Sequence, residues 1–129
     1  MAALPNEVFL SHSRLDLVFA DKLVAVLRQH GIPVWHSRTN ILGAQQWHDE
    51  IGTALQSCDW LALVLSPDAV ESVWVKRELL FSLNDDRYAG RIVPILYRPC
   101  DYRNLSWTLA RIIHEDARGE QELGVWGGW

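Results

Sequence analysis

One acidic residue lies in a part of the chain that is otherwise rich in apolar residues. Glu78 follows Trp74 by four positions and precedes Phe81 by three. On a helix this spacing places the three side chains on one side, and with Val73 near the same direction we expect that side to face the protein body. A carboxylate on the flank of an apolar stripe is costly unless it is paired or used. Glu78 is therefore either a boundary residue, half solvated or paired with a cation such as Arg77, or a working carboxylate.

A second group of chemically useful side chains follows a short apolar run near the N-terminus. It comprises Ser11, His12, Ser13 and Arg14, and a segment with helical spacing comes next. Hydroxyls, a guanidinium and the free N–H groups at the start of a helix suit a phosphate-bearing ligand. The five histidines of the chain show no spacing typical of metal ligands, so we expect no metal site.

Apolar runs and helical spacing alternate along the chain and define the elements that position these groups. The predicted strands cover Val8–Ser11, Ile32–Trp35, Asp59–Leu65 and Arg91–Tyr97, with a short fifth strand over Leu109–Ile113. The predicted helices cover Asp16–His30, with Ser13 and Asp16 as a capping pair and Gly31 after its end, and Trp47–Gln56, which follows a polar loop over Ser37–Gln46.

The helix that carries Glu78 decides how far this residue lies from the ends of the strands. Ser66 and Pro67 are a helix-entry signal, with proline at the first helical position. A straight helix from there would carry Glu78 about 17 Å from its start, at about 1.5 Å per residue. Ser72 is a candidate cap for a second helical segment, and a restart at this position would shorten that distance.

The order of these elements predicts an α/β fold, a flavodoxin-like five-stranded parallel sheet in the order 2-1-3-4-5 with helices on both faces. In such sheets ligands bind beyond the carboxyl ends of the strands where the order reverses, here between strands 1 and 3. We expect an N-terminal tail over residues 1–6, one domain over 7–118, and a C-terminal tail or truncated last helix over the glycine-rich residues 119–129.

Composition narrows the range of partners. The 129 residues are 49% hydrophobic and 22% charged, as in a soluble globular domain. A net charge of −4 without a basic run argues against binding of nucleic acid, and the longest apolar run is too short to span a membrane. Cys58 and Cys100 fit reduced thiols, so we expect a cytoplasmic protein.

Five segments of the chain can be read together as a set of ordered motifs. They are Phe9–Asp16, Pro33–Trp35 with Ile41–Gly43 and Trp47, Leu63–Pro67, Ser72-x-Trp74-x-x-x-Glu78, and Ile92–Leu96. In this order, from about Glu7 to Asp116, they resemble the TIR (Toll/interleukin receptor) domain family, with the first segment as its first signature box and the second as its second box and loop. The style is closer to bacterial TIR domains than to animal receptor adaptors.

The resemblance implies a catalytic role for Glu78, with NAD⁺ as the substrate and no separate cofactor. Nicotinamide leaves from a pyridinium that already carries positive charge, so one carboxylate that stabilises an oxocarbenium-like ribose is sufficient chemistry. The substrate-binding residues implied in the same way are Ser11, His12, Ser13, Arg14, Trp35, Arg38, Gly43, Trp47 and Trp74. Ordinary roles stay open, namely a helix cap for Ser13, core packing for Trp47 and a turn for Gly43.

Two functions remain open at this point. The first is an NAD⁺ glycohydrolase that releases nicotinamide and ADP-ribose or a cyclic form, in bacterial antiphage defence. The alternative is a non-enzymatic adaptor that acts by TIR–TIR association. The expected partners are further copies through TIR–TIR contacts and a fused or partner sensor domain. The chain departs from the family pattern after strand 2, where many members carry an acidic residue and this chain has His36, Ser37 and Arg38.

Overall fold

A single parallel sheet forms the centre of the described part of the protein, residues 5–36 and 44–113 of a computed structural model. Its strands are β1 (Val8–Ser11), β2 (Val34–His36), β3 (Trp60–Leu65) and β4 (Ile92–Leu96), in the order β2-β1-β3-β4. All neighbouring strands are parallel, and Val8 lies opposite both Val34 and Trp60. The predicted α/β class and the order of the first four strands are confirmed.

Helices connect the strands. They are α1 (Leu17–Gln29), which follows a 3₁₀ turn over Arg14–Asp16, α2 (Ala44–Ser57), α3 (Pro67–Val70), α4 (Val73–Leu83) and α5 (107–113), with further 3₁₀ turns over Asp86–Tyr88 and Tyr102–Asn104. The predicted bounds of β1 are confirmed, and the predicted ends of β2, β3, β4 and α1 differ from the observed ones by at most two residues. Gly31 follows α1 with φ +76°, the left-handed conformation expected of a residue just after a helix.

The prediction of a fifth strand over Leu109–Ile113 is wrong, because these residues are helical. Leu109 is fully buried and Ile113, four positions later, packs against the same core, so the spacing serves a helix. Ser106 begins this helix, since its hydroxyl accepts a hydrogen bond from the backbone N–H of Thr108 at 3.2 Å. Ser106 was therefore the signal in the sequence that could have predicted a helix here.

The prediction that α2 begins at Trp47 is also wrong, because the helix begins three residues earlier at Ala44. Alanine and the two glutamines that follow it are good helix formers, although their polarity suggested a loop. The rest of the predicted loop, residues 37–43 with Arg38 and Gly43, lies outside the described residues. The predicted tail over residues 119–129 lies outside them as well.

Successive side chains of β1 point to opposite faces of the sheet and so separate two cores. Phe9 packs with Leu61 and Leu63 in the core that α4 covers, whereas Val8 and Leu10 pack with Ala62, Val64 and α1. β3 is buried on both faces, as its continuous apolar run predicted. By the same alternation Ser11, the last residue of β1, shares the face of Phe9 and points towards α4.

Two serines divide the segment after β3 into two helices. Ser66 caps α3 by accepting from the N–H of Ala69 at 3.0 Å, and Ser72 caps α4 by accepting from the N–H of Val75 at 3.2 Å. The predicted restart at Ser72 is confirmed. Ser66 also donates its hydroxyl hydrogen to Oδ2 of Asp16, which is 3% exposed. Asp16 makes no capping hydrogen bond, so its predicted role in a capping pair is wrong, whereas Ser13 accepts from the N–H of Leu15.

These two caps give a matched comparison. Ser72→Ala should lower the free energy of unfolding by about 1 kcal/mol, the usual effect of losing a cap. Ser66→Ala should lower it by a further 1–3 kcal/mol or so, because it also removes the hydroxyl donor from a buried carboxylate. Urea denaturation of the two variants and the parent measures both losses. Equal losses would show that the contact between Ser66 and Asp16 adds no stability.

Candidate functional site

Two of the predicted site residues, Ser11 and Glu78, contact each other at the carboxyl edge of the sheet. Ser11 ends β1, and α4 returns over the same face of the sheet with Glu78 in its second turn. The Ser11 hydroxyl donates a hydrogen bond to Oε1 of Glu78 at 2.7 Å, and both residues are buried, at 0% and 5% exposure. Two residues separated by 67 positions in the chain therefore form one unit at the predicted ligand-binding edge.

Glu78 lies on the buried face of α4. The positions of α4 that are buried are Val75, Glu78, Leu79 and Ser82. Trp74 and Phe81 are half-buried at the sides of this face, and Val73 is 59% exposed. The prediction that Val73 faces the protein body is wrong, because packing against the sheet centres the helix on Val75 and Leu79. Glu78 is accordingly more deeply enclosed than the flank position that the sequence suggested.

Glu78 has an uncharged partner. Arg77 is exposed, and its guanidinium carbon lies 5.2 Å from the centre of the Trp74 ring, a cation–π contact. Among the described residues Glu78 forms no ion pair. The interpretation of Glu78 as a boundary residue, half solvated or paired with Arg77, is therefore wrong.

Burial changes the acidity of this carboxyl group. Loss of water raises the pKa of Glu78 from its ordinary value of 4.5 to about 7, while the hydrogen bond from Ser11 acts in the opposite direction. A carboxyl group with a near-neutral pKa exists in both protonation states at neutral pH. A cationic ligand placed beside it would favour the ionised form and would in turn be stabilised by that form.

The tryptophans predicted to bind substrate occupy different settings. The Trp74 ring lies 6.0 Å from the ring of His48 in α2, so it is bordered by His48 and Arg77. Trp35 is half-buried and stacks on Phe9, with ring centres 4.8 Å apart and an angle of 17°. Trp47 belongs to the first part of α2. Arg38 and Gly43 fall in the segment for which no placement is described.

The loop after β1 holds the remaining predicted residues. Ser13 is buried and caps the 3₁₀ turn, the ordinary role that the sequence left open, and Arg14 lies exposed on that turn. His12 is half-buried and its Nε2 lies 3.1 Å from Nε2 of His36 at the end of β2. Sequence reasoning missed this histidine pair, and it also missed the buried contact between Asp16 and Ser66.

An open cleft of about 500 Å³ lies at the opposite, amino edge of the sheet. Its lining includes Arg87 and Arg91, each of which is paired with an aspartate, Asp85 at 3.1 Å and Asp59 at 3.6 Å. These pairs balance the charge of the cleft. It contains neither Ser11 nor Glu78, and we assign it no chemistry.

Two further features are absent from the described residues, namely a metal-binding cluster and a membrane-spanning helix. No cluster of three or more histidine, cysteine, aspartate or glutamate residues in this part of the chain is placed to hold a metal ion. None of the helices over residues 5–36 and 44–113 has the length and apolar character needed to cross a membrane.

Comparisons with known proteins point to one family. The family profile described as "TIR domain" matches residues 8–124. The structure is similar to the crystal structure of the TIR domain of the Toll-related receptor TRR-2 from the lower metazoan Hydra magnipapillata, with a TM-score of 0.62 and 22% identity over 83% of this chain and 97% of that chain. At this identity the similarity shows the fold alone. No curated protein sequence matches the chain.

The raised pKa of Glu78 makes stability depend on pH. Between about pH 4.5 and 7 the folded protein retains a proton that the unfolded chain loses, so the free energy of unfolding falls as pH rises through this range. The loss attributable to Glu78 is about 3 kcal/mol. Urea denaturation across this range should show a steeper fall for the parent than for Glu78→Gln. Parallel curves for the two proteins would contradict the assignment.

Proposed function

The chain belongs to the TIR domain family, and we propose that it is an NAD⁺ glycohydrolase with Glu78 as its catalytic carboxylate. The observation that carries the proposal is the burial of Glu78 beside a neutral hydrogen-bond donor, Ser11. A structural glutamate on a helix is expected to be exposed or paired with a cation, since an isolated buried carboxyl group is costly. A site that acts on a cationic substrate gives this carboxyl group a use.

The chemistry requires few protein groups. As the bond between nicotinamide and ribose breaks, its electron pair leaves with neutral nicotinamide, and positive charge develops on the ribose. The Glu78 carboxylate stabilises that charge, and the surrounding apolar side chains strengthen the attraction by keeping water away. Water then attacks the ribose carbon and gives up a proton to yield ADP-ribose, or a ring nitrogen of the adenine in the same molecule attacks that carbon to yield a cyclic form. No group has to protonate the departing nicotinamide.

Other residues would bind the rest of the substrate. Arg14 is exposed beside the carboxyl edge and suits the pyrophosphate. We assign the remaining contacts to the residues implied by family resemblance, namely His12, Ser13, Trp35, Arg38, Gly43, Trp47 and Trp74. The biological setting that we propose is cytoplasmic antiphage signalling in bacteria, in which self-association and a sensor domain control the activity.

A second function has its own supporting observation. Leu15, in the 3₁₀ turn before α1, and Val18, in the first turn of α1, are 78% and 73% exposed. Large apolar side chains that are exposed to this extent can contribute to contact with another protein. The alternative to an enzyme is therefore an adaptor that associates with other TIR domains and needs no carboxylate in its core.

Replacement of Glu78 separates the two functions. Glu78→Gln should lower the rate of nicotinamide release at least about 100-fold, because it removes the charge that stabilises the transition state. The matched control is Glu71→Gln, an exposed glutamate between α3 and α4 that should retain parental activity. The assay should include high protein concentration or a crowding agent, so that self-association does not limit it. Similar rates for Glu78→Gln and the parent would remove Glu78 from the mechanism, and no release by the folded, associated parent would favour the adaptor.

Ser11 is expected to tune this carboxylate. Its hydrogen bond lowers the pKa of Glu78, so Ser11→Ala should raise that pKa further. The acid limb of the profile of kcat/KM against pH, which reports the free enzyme, should then move to higher pH in the variant. The ratio of the variant's rate to the parental rate should be closer to one at high pH than at pH 6. A uniform loss at every pH would assign Ser11 a role other than tuning Glu78.

A further inference from the structure

An exposed tryptophan lies at the start of α5, the helix that follows the edge strand β4. Trp107 is 74% exposed, whereas Leu109, two positions later, is fully buried. Tryptophan covers a large apolar area in contacts between proteins, and it is enriched among the residues that dominate their affinity. Arg103, in the 3₁₀ turn before α5, is exposed as well. Trp107 and Arg103 together are called the α5 surface below.

A glycine interrupts the outer side of α2. Gly52 is half-buried and lies well inside this helix, between the buried Ile51 and the exposed Thr53. Glycine is less favourable than alanine inside a helix. The φ of Gly52 is not positive, and a methyl group here would meet no atom of the described residues beyond its own part of the helix within 4 Å. The fold of the single chain therefore does not require this glycine, whereas the gap that it leaves suits the close approach of a flat ring.

The charges beside the tryptophan and the glycine are opposite. The described part of α2 exposes Asp49 and Glu50 and has no lysine or arginine, whereas the segment from Arg103 to the end of α5 exposes two arginines and has no carboxylate. Asp49 and Arg111 already take part in other contacts, so Glu50 and Arg103 are the charges on which a partner can act. Gly52 and Glu50 together are called the α2 surface. Charges of opposite sign at the rim of a contact favour association and orient the partners.

The two surfaces lie towards opposite sides of the molecule. α2 follows β2 and α5 follows β4, and these are the two edge strands of the described sheet. The α5 surface of one chain is therefore placed to reach the α2 surface of a second copy and not its own. A contact between two different surfaces is heterologous, and it leaves one surface of each kind open, so that further copies can add in the same way.

We propose that copies of this chain associate head to tail, with Trp107 of one copy on Gly52 of the next and Arg103 beside Glu50. This contact belongs to the self-association that the proposed function includes, and it does not require NAD⁺ cleavage. One tryptophan, one glycine and one charge pair form the centre of a small interface. Interfaces that bury less than about 1,200 Å² belong to weak and transient complexes, so the association should be seen at high protein concentration.

Sedimentation velocity of the full chain over a range of concentrations tests the proposal. Trp107→Ser should weaken self-association at least about 30-fold, the loss expected for a side chain that dominates an interface. Gly52→Gln should also weaken it, whereas the midpoint of its urea denaturation should not fall, because glutamine is a better helix former than glycine. The matched control is Val26→Ser, which removes a 50% exposed apolar side chain from α1 and should associate as the parent does.

A mixture of two variants tests the head-to-tail geometry. Trp107→Ser retains an intact α2 surface, and Gly52→Gln retains an intact α5 surface. The two variants together should therefore form a one-to-one complex at a concentration where each alone is monomeric. Circular dichroism confirms that both variants are folded. A mixture that stays monomeric while the parent associates would contradict the heterologous contact.

Exchange of the charges tests the pairing of Arg103 with Glu50. Arg103→Glu and Glu50→Lys should each weaken association, and the double variant should recover part of it. A parent that is monomeric at every concentration, or association of Trp107→Ser and Gly52→Gln that equals that of the parent, would overturn the proposal. Nicotinamide release enters none of these measurements, so their outcome and that of the proposed enzyme are distinguishable.

Discussion

The burial of the Glu78 carboxyl group, with no cationic partner in the part of the chain that the structure describes, is the constraint around which the carboxyl edge of this domain is organised. Glu78 can reach the sheet because the helical conformation ends after α3 and a new helix, α4, begins after its cap Ser72. This change of direction lets α4 pack over β1 and β3. The alternation of side chains along β1 then directs Ser11 to the same face. Among the described residues the Glu78 carboxyl group receives one hydrogen bond, from a neutral hydroxyl, and burial raises its pKa to about 7.

Local signals in the sequence predicted much of the framework. The strand order follows from alternating strands and helices, and the caps at Ser66 and Ser72 follow from serine and proline chemistry. The predictions were wrong where tertiary packing decides the conformation or the exposure of a residue. Leu109 and Ile113 suit either a short strand or one face of a helix, and the exposure of Val73 depends on how α4 rotates on the sheet.

The candidate site was predictable only in part, for a related reason. The sequence motifs predicted Glu78 and the loop over residues 11–14 as site residues, and the predicted topology placed both near the carboxyl edge of the sheet. The hydrogen bond between Ser11 and Glu78, and the approach of the histidines, require the register of β1 against its neighbours, which one sequence does not specify. Under the proposed mechanism, a domain that cleaves NAD⁺ needs an enclosed carboxylate at this edge, whereas a domain that only associates does not.

Titration of the Glu78 carboxyl group by NMR is the most direct test, with ¹³C-labelled glutamate and Glu78→Gln to identify the signal. We expect a midpoint near pH 7 in the free protein. An uncleavable NAD⁺ analogue that retains the pyridinium charge should lower this midpoint, because a nearby cation favours the carboxylate. A midpoint near pH 4.5, or one that the analogue leaves unchanged, would contradict the claim that Glu78 is held in an enclosed, neutral setting for a cationic substrate.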